Sequence, residues 1–145
     1  MIIEDKLMKY IFFKRRTESE VRGKCKLLKY DEEMIDEIIE YLKENNYLDD
    51  ENYVSKYIQN VMRLKNCSIN EIRIDLLKRG IDDDLINKYI DEEVEEFEAN
   101  SAKILAEKKI KNMEIEKVKR YLLGKGFSYK NISKAIDNLK DIDDN

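Results

Sequence analysis

The sequence has no histidine, no proline and no tryptophan, and only 4 glycines and 2 cysteines in 145 residues. Each shortage excludes something. Without histidine, the commonest general base and the commonest metal ligand are both missing. Cys25 and Cys67 stand far apart and form no CxxC pair, which fits a reduced cytoplasmic protein better than a disulfide scaffold. So few chain breakers, with abundant Ile, Leu, Lys and Glu, leave helices joined by short turns. The longest apolar run, Tyr10-Ile11-Phe12-Phe13, is far short of a membrane span. The opening segment places its acids before its basic cluster, the reverse of a secretory leader. Gly124-Lys125-Gly126 is too short for a phosphate loop, and Asp82-Asp83-Asp84 lacks the alternating ligands of a calcium loop. No nucleophile–base pair is evident. The expectation is a protein without catalysis, cofactor or metal.

Charged residues supply 41% of the chain, and the formal net charge of −4 conceals alternating blocks. Residues 1–30 carry +5, 31–60 carry −8, 61–80 carry +3, 81–98 carry −8, 99–135 carry +7 and the last ten −3.

An internal repeat accounts for the alternation. With Val21, Ile72 and Val118 in register, Cys25, Leu76 and Leu122 follow four residues later, and Tyr30, Ile81 and Phe127 nine later. Ile35, Ile86 and Ile132 follow fourteen later, then Ile39, Ile90 and Ile136 at eighteen. The spacings are 51 and 46 residues. Each copy reads as three helices, A, B and C. The A helices are expected over 2–14, 51–65 and 99–112, the B helices over 18–29, 69–79 and 115–125, and the C helices over 32–45, 83–97 and 129–140. The fold class is therefore all-α: three tandem three-helix repeats in an elongated, curved array. Its units are 1–48, 49–97 and 98–140, followed by an acidic tail, 141–145.

Helix ends agree with this division. Thr17 with Glu20 and Ser68 with Glu71 have capping-box spacing. Asp31, Asp82 and Ser128 stand where a C helix needs an N-cap, and Asp49 or Asp50 where the second A helix does. Gly80 and Gly126 end two B helices where a left-handed residue is wanted, whereas the first unit has Lys29. Cys25 and the tyrosines Tyr47, Tyr53 and Tyr57 are expected in the core.

B helices are basic and C helices acidic. Lys24, Lys26 and Lys29 lie on the first B helix, Arg73, Lys78 and Arg79 on the second, and Lys117, Lys119, Arg120 and Lys125 on the third. The cluster Lys14-Arg15-Arg16 precedes the first. Stacked units would turn these cations into a recurrent positive, solvent-exposed face suited to phosphates or an acidic surface.

Tyr47-Leu48-Asp49-Asp50, with Tyr53 and Tyr57 on the following helix, resembles the turn that closes the first unit in the RecX family. Ser68…Glu71-Ile72…Gly80-Ile81 and Val118…Gly126-Phe127-Ser128 resemble that family's B–C signal, over roughly residues 5–140. The third copy departs from it in having Glu114 where the others have Thr17 and Ser68. The resemblance implies tandem three-helix units and control of the RecA recombinase in DNA repair. Such a protein lodges in the groove of the RecA–DNA filament and suppresses its ATPase and strand exchange. The expected partner is the RecA filament, with weak contact to single- or double-stranded DNA and none to membrane. The chain is expected to be a monomer. The contacts fall to Lys14, Arg15, Arg16, Lys24, Lys26, Arg73, Lys78, Arg79, Lys117, Lys119, Arg120 and Lys125. The competing readings are a helix-turn-helix nucleic-acid module and a helical scaffold whose charges only solvate it and pair between repeats.

Overall fold

The structure, a computed structural model, describes residues 3–143. Among them it has nine helices and no strand: α1 (Asp5–Phe13), α2 (Glu18–Leu27), α3 (Glu32–Glu44), α4 (Asp50–Leu64), α5 (Ile69–Lys78), α6 (Asp83–Lys88), α7 (Glu92–Lys109), α8 (Ile115–Gly124) and α9 (Tyr129–Asp143). The buried apolar side chains form three separate clusters. Leu7, Val21, Cys25 and Ile35 belong to the first, Val54, Ile72, Leu76 and Ile86 to the second, and Val118, Leu122, Ile132 and Ile136 to the third. Cys25, Leu76 and Leu122, matched by register alone, are each fully buried. Burial raises the pKa of both thiols, that of Cys67 to about 11. The chain exposes 9688 Å². A compact monomer of its 17.4 kDa would expose roughly 7,900 Å², so the three cores are strung out rather than gathered.

Two helix expectations change. The second C helix, expected over 83–97, stops at Lys88, and the third A helix begins at Glu92 instead of 99. The reason is local. The Asp91 carboxylate accepts from the Val94 amide at 3.0 Å, and Glu92, Glu93 and Glu95 crowd the positive first turn of a new helix. The resulting helix, α7, serves two cores: Val94 and Phe97 pack into the second, Ala102 and Ala106 into the third. The division at 97/98 thus falls inside a helix, and α9 runs three residues into the segment read as a tail. The expected start of the first helix, at residue 2, lies outside the described residues.

The B helices end alike. The amides of Tyr30, Ile81 and Phe127 reach back to the carbonyls of Cys25, Leu76 and Leu122, at 3.1, 3.1 and 3.2 Å. The residue before each takes a positive φ: Lys29 at 66°, Gly80 at 82° and Gly126 at 91°. Only the first is strained, because only lysine has a Cβ to crowd the backbone there. A Cβ on Gly80 would lie 2.1 Å from Ser19 Cβ in the preceding unit. Gly80→Ala should therefore cost about 2–3 kcal/mol in urea melts. Lys29→Gly should be neutral or stabilising by up to about 1 kcal/mol. A loss at Gly80 of only about 1 kcal/mol would mean that turn geometry alone, without the neighbouring unit, sets the requirement there.

Candidate partner-binding surface

The surface is organised by how one unit meets the next. Thr17 and Ser68 are each completely buried at the N-terminus of a B helix. Each hydroxyl accepts from the amide three residues on, Thr17 from Glu20 at 3.1 Å and Ser68 from Glu71 at 3.0 Å. Each also donates across the joint, Thr17 to the Arg79 carbonyl at 2.6 Å and Ser68 to the Lys125 carbonyl at 2.7 Å. Those carbonyls close the C-termini of α5 and α8. The positive end of α2 therefore faces the negative end of α5, and that of α5 faces α8, in one end-to-end row. A carboxylate from the following unit completes each joint. Asp50 accepts from the Glu18 amide at 2.9 Å, and the buried Glu98 from the Ile69 amide at 3.0 Å while also holding Asn131. The reciprocal glutamate of the expected capping box is present at Thr17, where Glu20 accepts from the Thr17 amide.

The two carboxyl groups near the first joint titrate in opposite senses. Hydrogen bonding from Lys43, reinforced by Arg22, holds Glu18 below the ordinary glutamate value of 4.5. Its contribution to stability is present above that value and fades as pH falls through the lower folded one. Burial pushes Asp50 above its ordinary 3.8 despite the Glu18 amide, so its ionisation opposes folding as pH rises through the higher folded value. Asp50→Asn, which keeps an acceptor oxygen, should stay within about 0.5 kcal/mol of the parent at pH 7. Asp50→Ala should lose about 1–2 kcal/mol. Denaturant melts at pH 7 and pH 3.5 would check both, and the alanine variant should remain the weaker at either pH.

The row brings distant cations together at the first joint. Lys14 and Arg15, from the end of α1, line a cleft of about 260 Å³ with Lys56, Tyr53, Tyr57 and Arg79. Among the described residues no carboxylate lines it. It adjoins a second cleft of about 220 Å³ through shared Arg15 and Tyr53, where Arg16, Asn46, Tyr47, Asp49 and Asn52 take part. The result is a furrow of five cations across the boundary of two units. Its floor is fixed. Tyr53 and Tyr57 stack with ring centroids 6.4 Å apart, Arg79 donates to the Tyr53 hydroxyl at 2.5 Å, and Tyr57 donates to Asp75 at 2.8 Å. Burial, then that bond to Asp75, raises the Tyr57 pKa. Of the tyrosines expected in the core, Tyr53 is buried and Tyr57 half-buried, while Tyr47 is 49% exposed and packs edge-on against Phe12.

The other basic residues divide by what holds them. Arg16 is half-buried: it donates to the Tyr10 carbonyl at 2.9 Å and lies 3.7 Å above the Tyr10 ring, with Lys24 5.5 Å from the same ring. Arg73 is not the exposed cation expected but is half-buried, bonded to Asp83 and Asn87 at 2.6 Å each. Arg22, its counterpart, bonds Asp36 at 2.8 Å. Part of the charge alternation is thus B-to-C pairing within a unit. Arg79 is likewise half-buried, because Tyr53 and Tyr57 take its guanidinium into the joint. Lys119 bonds Glu116 at 3.3 Å. Lys14, Arg15, Lys26, Lys78, Lys117, Arg120 and Lys125 are exposed, Arg15 with a bond to Asn52 at 3.1 Å.

Two features were missed in the sequence. Lys56 and Asn60 enter the furrow from α4, beside Tyr53 and Tyr57. Leu27, Leu77 and Leu123 are 78%, 44% and 47% exposed on the B helices. Their signal was available, since each falls outside the register of the core residues Cys25, Leu76 and Leu122. Leu123 borders a groove of about 620 Å³ between α8 and α9, with Arg120, Tyr129, Ile136 and Lys140.

Fold and surface together define, among the described residues, an all-helical protein of stacked helix triplets with exposed lysines or arginines on each B helix. No family model matches the chain. The regulatory protein RecX of Clostridium botulinum (strain Alaska E43 / Type E3) is 35% identical over 136 residues, which are 88% of this chain and 60% of that protein. RecX of Finegoldia magna (strain ATCC 29328 / DSM 20472 / WAL 2508) is 34% identical over 142 residues, 91% of this chain and 68% of that protein. The crystal structure of RecX from Lactobacillus salivarius matches with a TM-score of 0.84 at 29% identity, over 94% of this chain and 93% of that one. The chain belongs to the RecX family of regulatory proteins. It spans 60% of the length of the Clostridium botulinum relative.

Proposed function

We propose that this chain regulates the RecA recombinase by seating along the RecA–DNA filament, restraining ATP turnover and strand exchange. Family membership supports the regulatory role. The observation that supports the mode of contact is the first cleft of the furrow, where Lys14, Arg15, Lys56 and Arg79 converge without a carboxylate among the described residues, in a chain of net charge −4. A local positive surface can engage phosphates, while the acidic remainder of the chain opposes tight binding to nucleic acid that no protein partner presents. The three triplets, 1–48, 49–97 and 98–140, act as a curved strip long enough to bridge neighbouring protomers, and a single chain does this in the cytoplasm. Among the described residues no helix is long and apolar enough to cross a membrane. The helix-turn-helix reading is less well supported, since Glu33, Glu37, Glu40 and Glu44 occupy exposed positions of α3, which would have to enter a groove lined by phosphates.

The test reverses charge where folding tolerates it. Lys14→Glu, Arg15→Glu and Lys56→Glu are combined; each site is exposed, so the cost in stability should be about 0.5 kcal/mol or less apiece. Half-buried Arg73 and Arg79 are left alone. Inhibition of RecA ATPase on single-stranded DNA should weaken more than tenfold, and wild-type inhibition should decline with salt, since charges are screened beyond about 8 Å at physiological ionic strength. The matched control reverses Glu37, Glu40 and Glu44, exposed on α3 beyond its first turn, to lysine. If the control abolishes inhibition and the furrow variant does not, the contact lies on the acidic helices. Direct binding to single-stranded DNA without RecA, measured alongside, separates a filament regulator from a nucleic-acid module.

A further inference from the structure

Among the described residues, every group that builds a joint between units is present at the two joints and absent from the outward faces of the first and third triplets. Four contributions recur. The N-terminus of one B helix supplies a hydroxyl, Thr17 or Ser68, and a small neighbour two residues on, Ser19 or Asn70. The following unit supplies a carboxylate on its A helix, Asp50 or Glu98, and a glycine at the end of its B helix, Gly80 or Gly126. The glycines are needed for closeness as well as for φ. A Cβ at Gly80 would sit 2.1 Å from Ser19 Cβ, and one at Gly126 would sit 2.9 Å from Asn70 Cβ.

At the outer ends the same register positions hold other residues. The N-cap of α8 is Glu114, exposed and without a side-chain cap bond, and Glu116 stands where Ser19 and Asn70 do. The end of α2 has Lys29 in place of glycine. Aligning Leu7 and Ile11 with Val54 and Ile58 puts Ile3 at the place of Asp50, and Ile3 packs on the first core. We propose that Lys29, Ile3 and Glu114 are end-stops that prevent the B-helix row of one chain from continuing into a second copy.

The chemistry is direct. In an end-to-end joint between two chains, the Lys29 Cβ would fall against Glu116 where only a hydrogen is accommodated. The Glu114 carboxylate accepts rather than donates, so it cannot bond the terminal carbonyl of α2 as a hydroxyl does, and a negative side chain opposes the negative end of that helix. Ile3 offers the first free amide of α8 no acceptor. A stack of identical units joined head to tail is open, so without such stops it would grow into a filament of its own.

The test pairs two single variants, Lys29→Gly and Glu114→Ser, each checked for a wild-type helical circular dichroism spectrum. Alone, each chain keeps two of the three stops at any contact and should sediment at the mass of a single chain. Mixed in equal amounts, they have one pair of ends at which only the Ile3 stop remains, and should form a two-chain species that grows no further. Its association should be at least tenfold tighter than any self-association of the wild type. Adding Ile3→Glu to the Lys29→Gly chain should tighten it several-fold more. The proposal is overturned if the folded variants stay single when mixed, if either alone associates as well as the mixture, or if the wild type already forms end-to-end chains.

Discussion

The architecture depends on one hydroxyl per joint. Thr17 and Ser68 each satisfy an amide of their own helix and a carbonyl of the next unit's helix, from a site closed to water. A hydroxyl can do this because it accepts and donates at once; a carboxylate only accepts, and an alanine does neither. The bonds align the B helices so that opposite dipole ends meet, and they bring the end of α1 beside α4 and α5. The cationic furrow is a by-product of that alignment. Lys14 and Arg79 are 65 positions apart in the chain and share a cleft because Thr17 holds the Arg79 carbonyl.

How much of this was legible in the sequence varied with the range of the interaction. The helical class, the register and the buried status of Cys25, Leu76 and Leu122 rest on periodic apolar positions, which local sequence displays directly. Thr17 and Ser68 were readable as caps, since capping involves residues three apart. Their second role was not, because its acceptors lie 62 and 57 residues away. The break before α7 was misplaced although Asp91 and the acids after it form a recognisable helix start. The register through Ile90 argued for continuity, and the short-range cap prevailed over it.

The cationic surface was the least legible part. Counting lysines and arginines by helix identified a basic set but not which members reach solvent. Arg73 and Arg79 differ from Lys78 in having planar guanidinium groups that neighbouring carboxylate, amide and tyrosine side chains capture. Arg16 is captured by Tyr10 in the same way. Lys56 went unnoticed because it lies on an A helix, outside the basic blocks, and gains significance only from what stacking places opposite it.

The helix α7 gives the array unequal couplings. The second and third triplets share it, with Val94 in one core and Ala106 in the other, so neither can melt without fraying a helix the other needs. The first triplet shares no helix with the second. It is tied by the turn through Asn46 and Tyr47, the Thr17 and Asp50 bonds, and the seating of Gly80 on Ser19. In a nearest-neighbour description of such a chain, the link between triplets two and three is strong and that between one and two weaker. The array then behaves as a stiff pair carrying a separable arm. The boundary at which that arm would detach also holds the furrow, so loss of the arm would disperse the five cations.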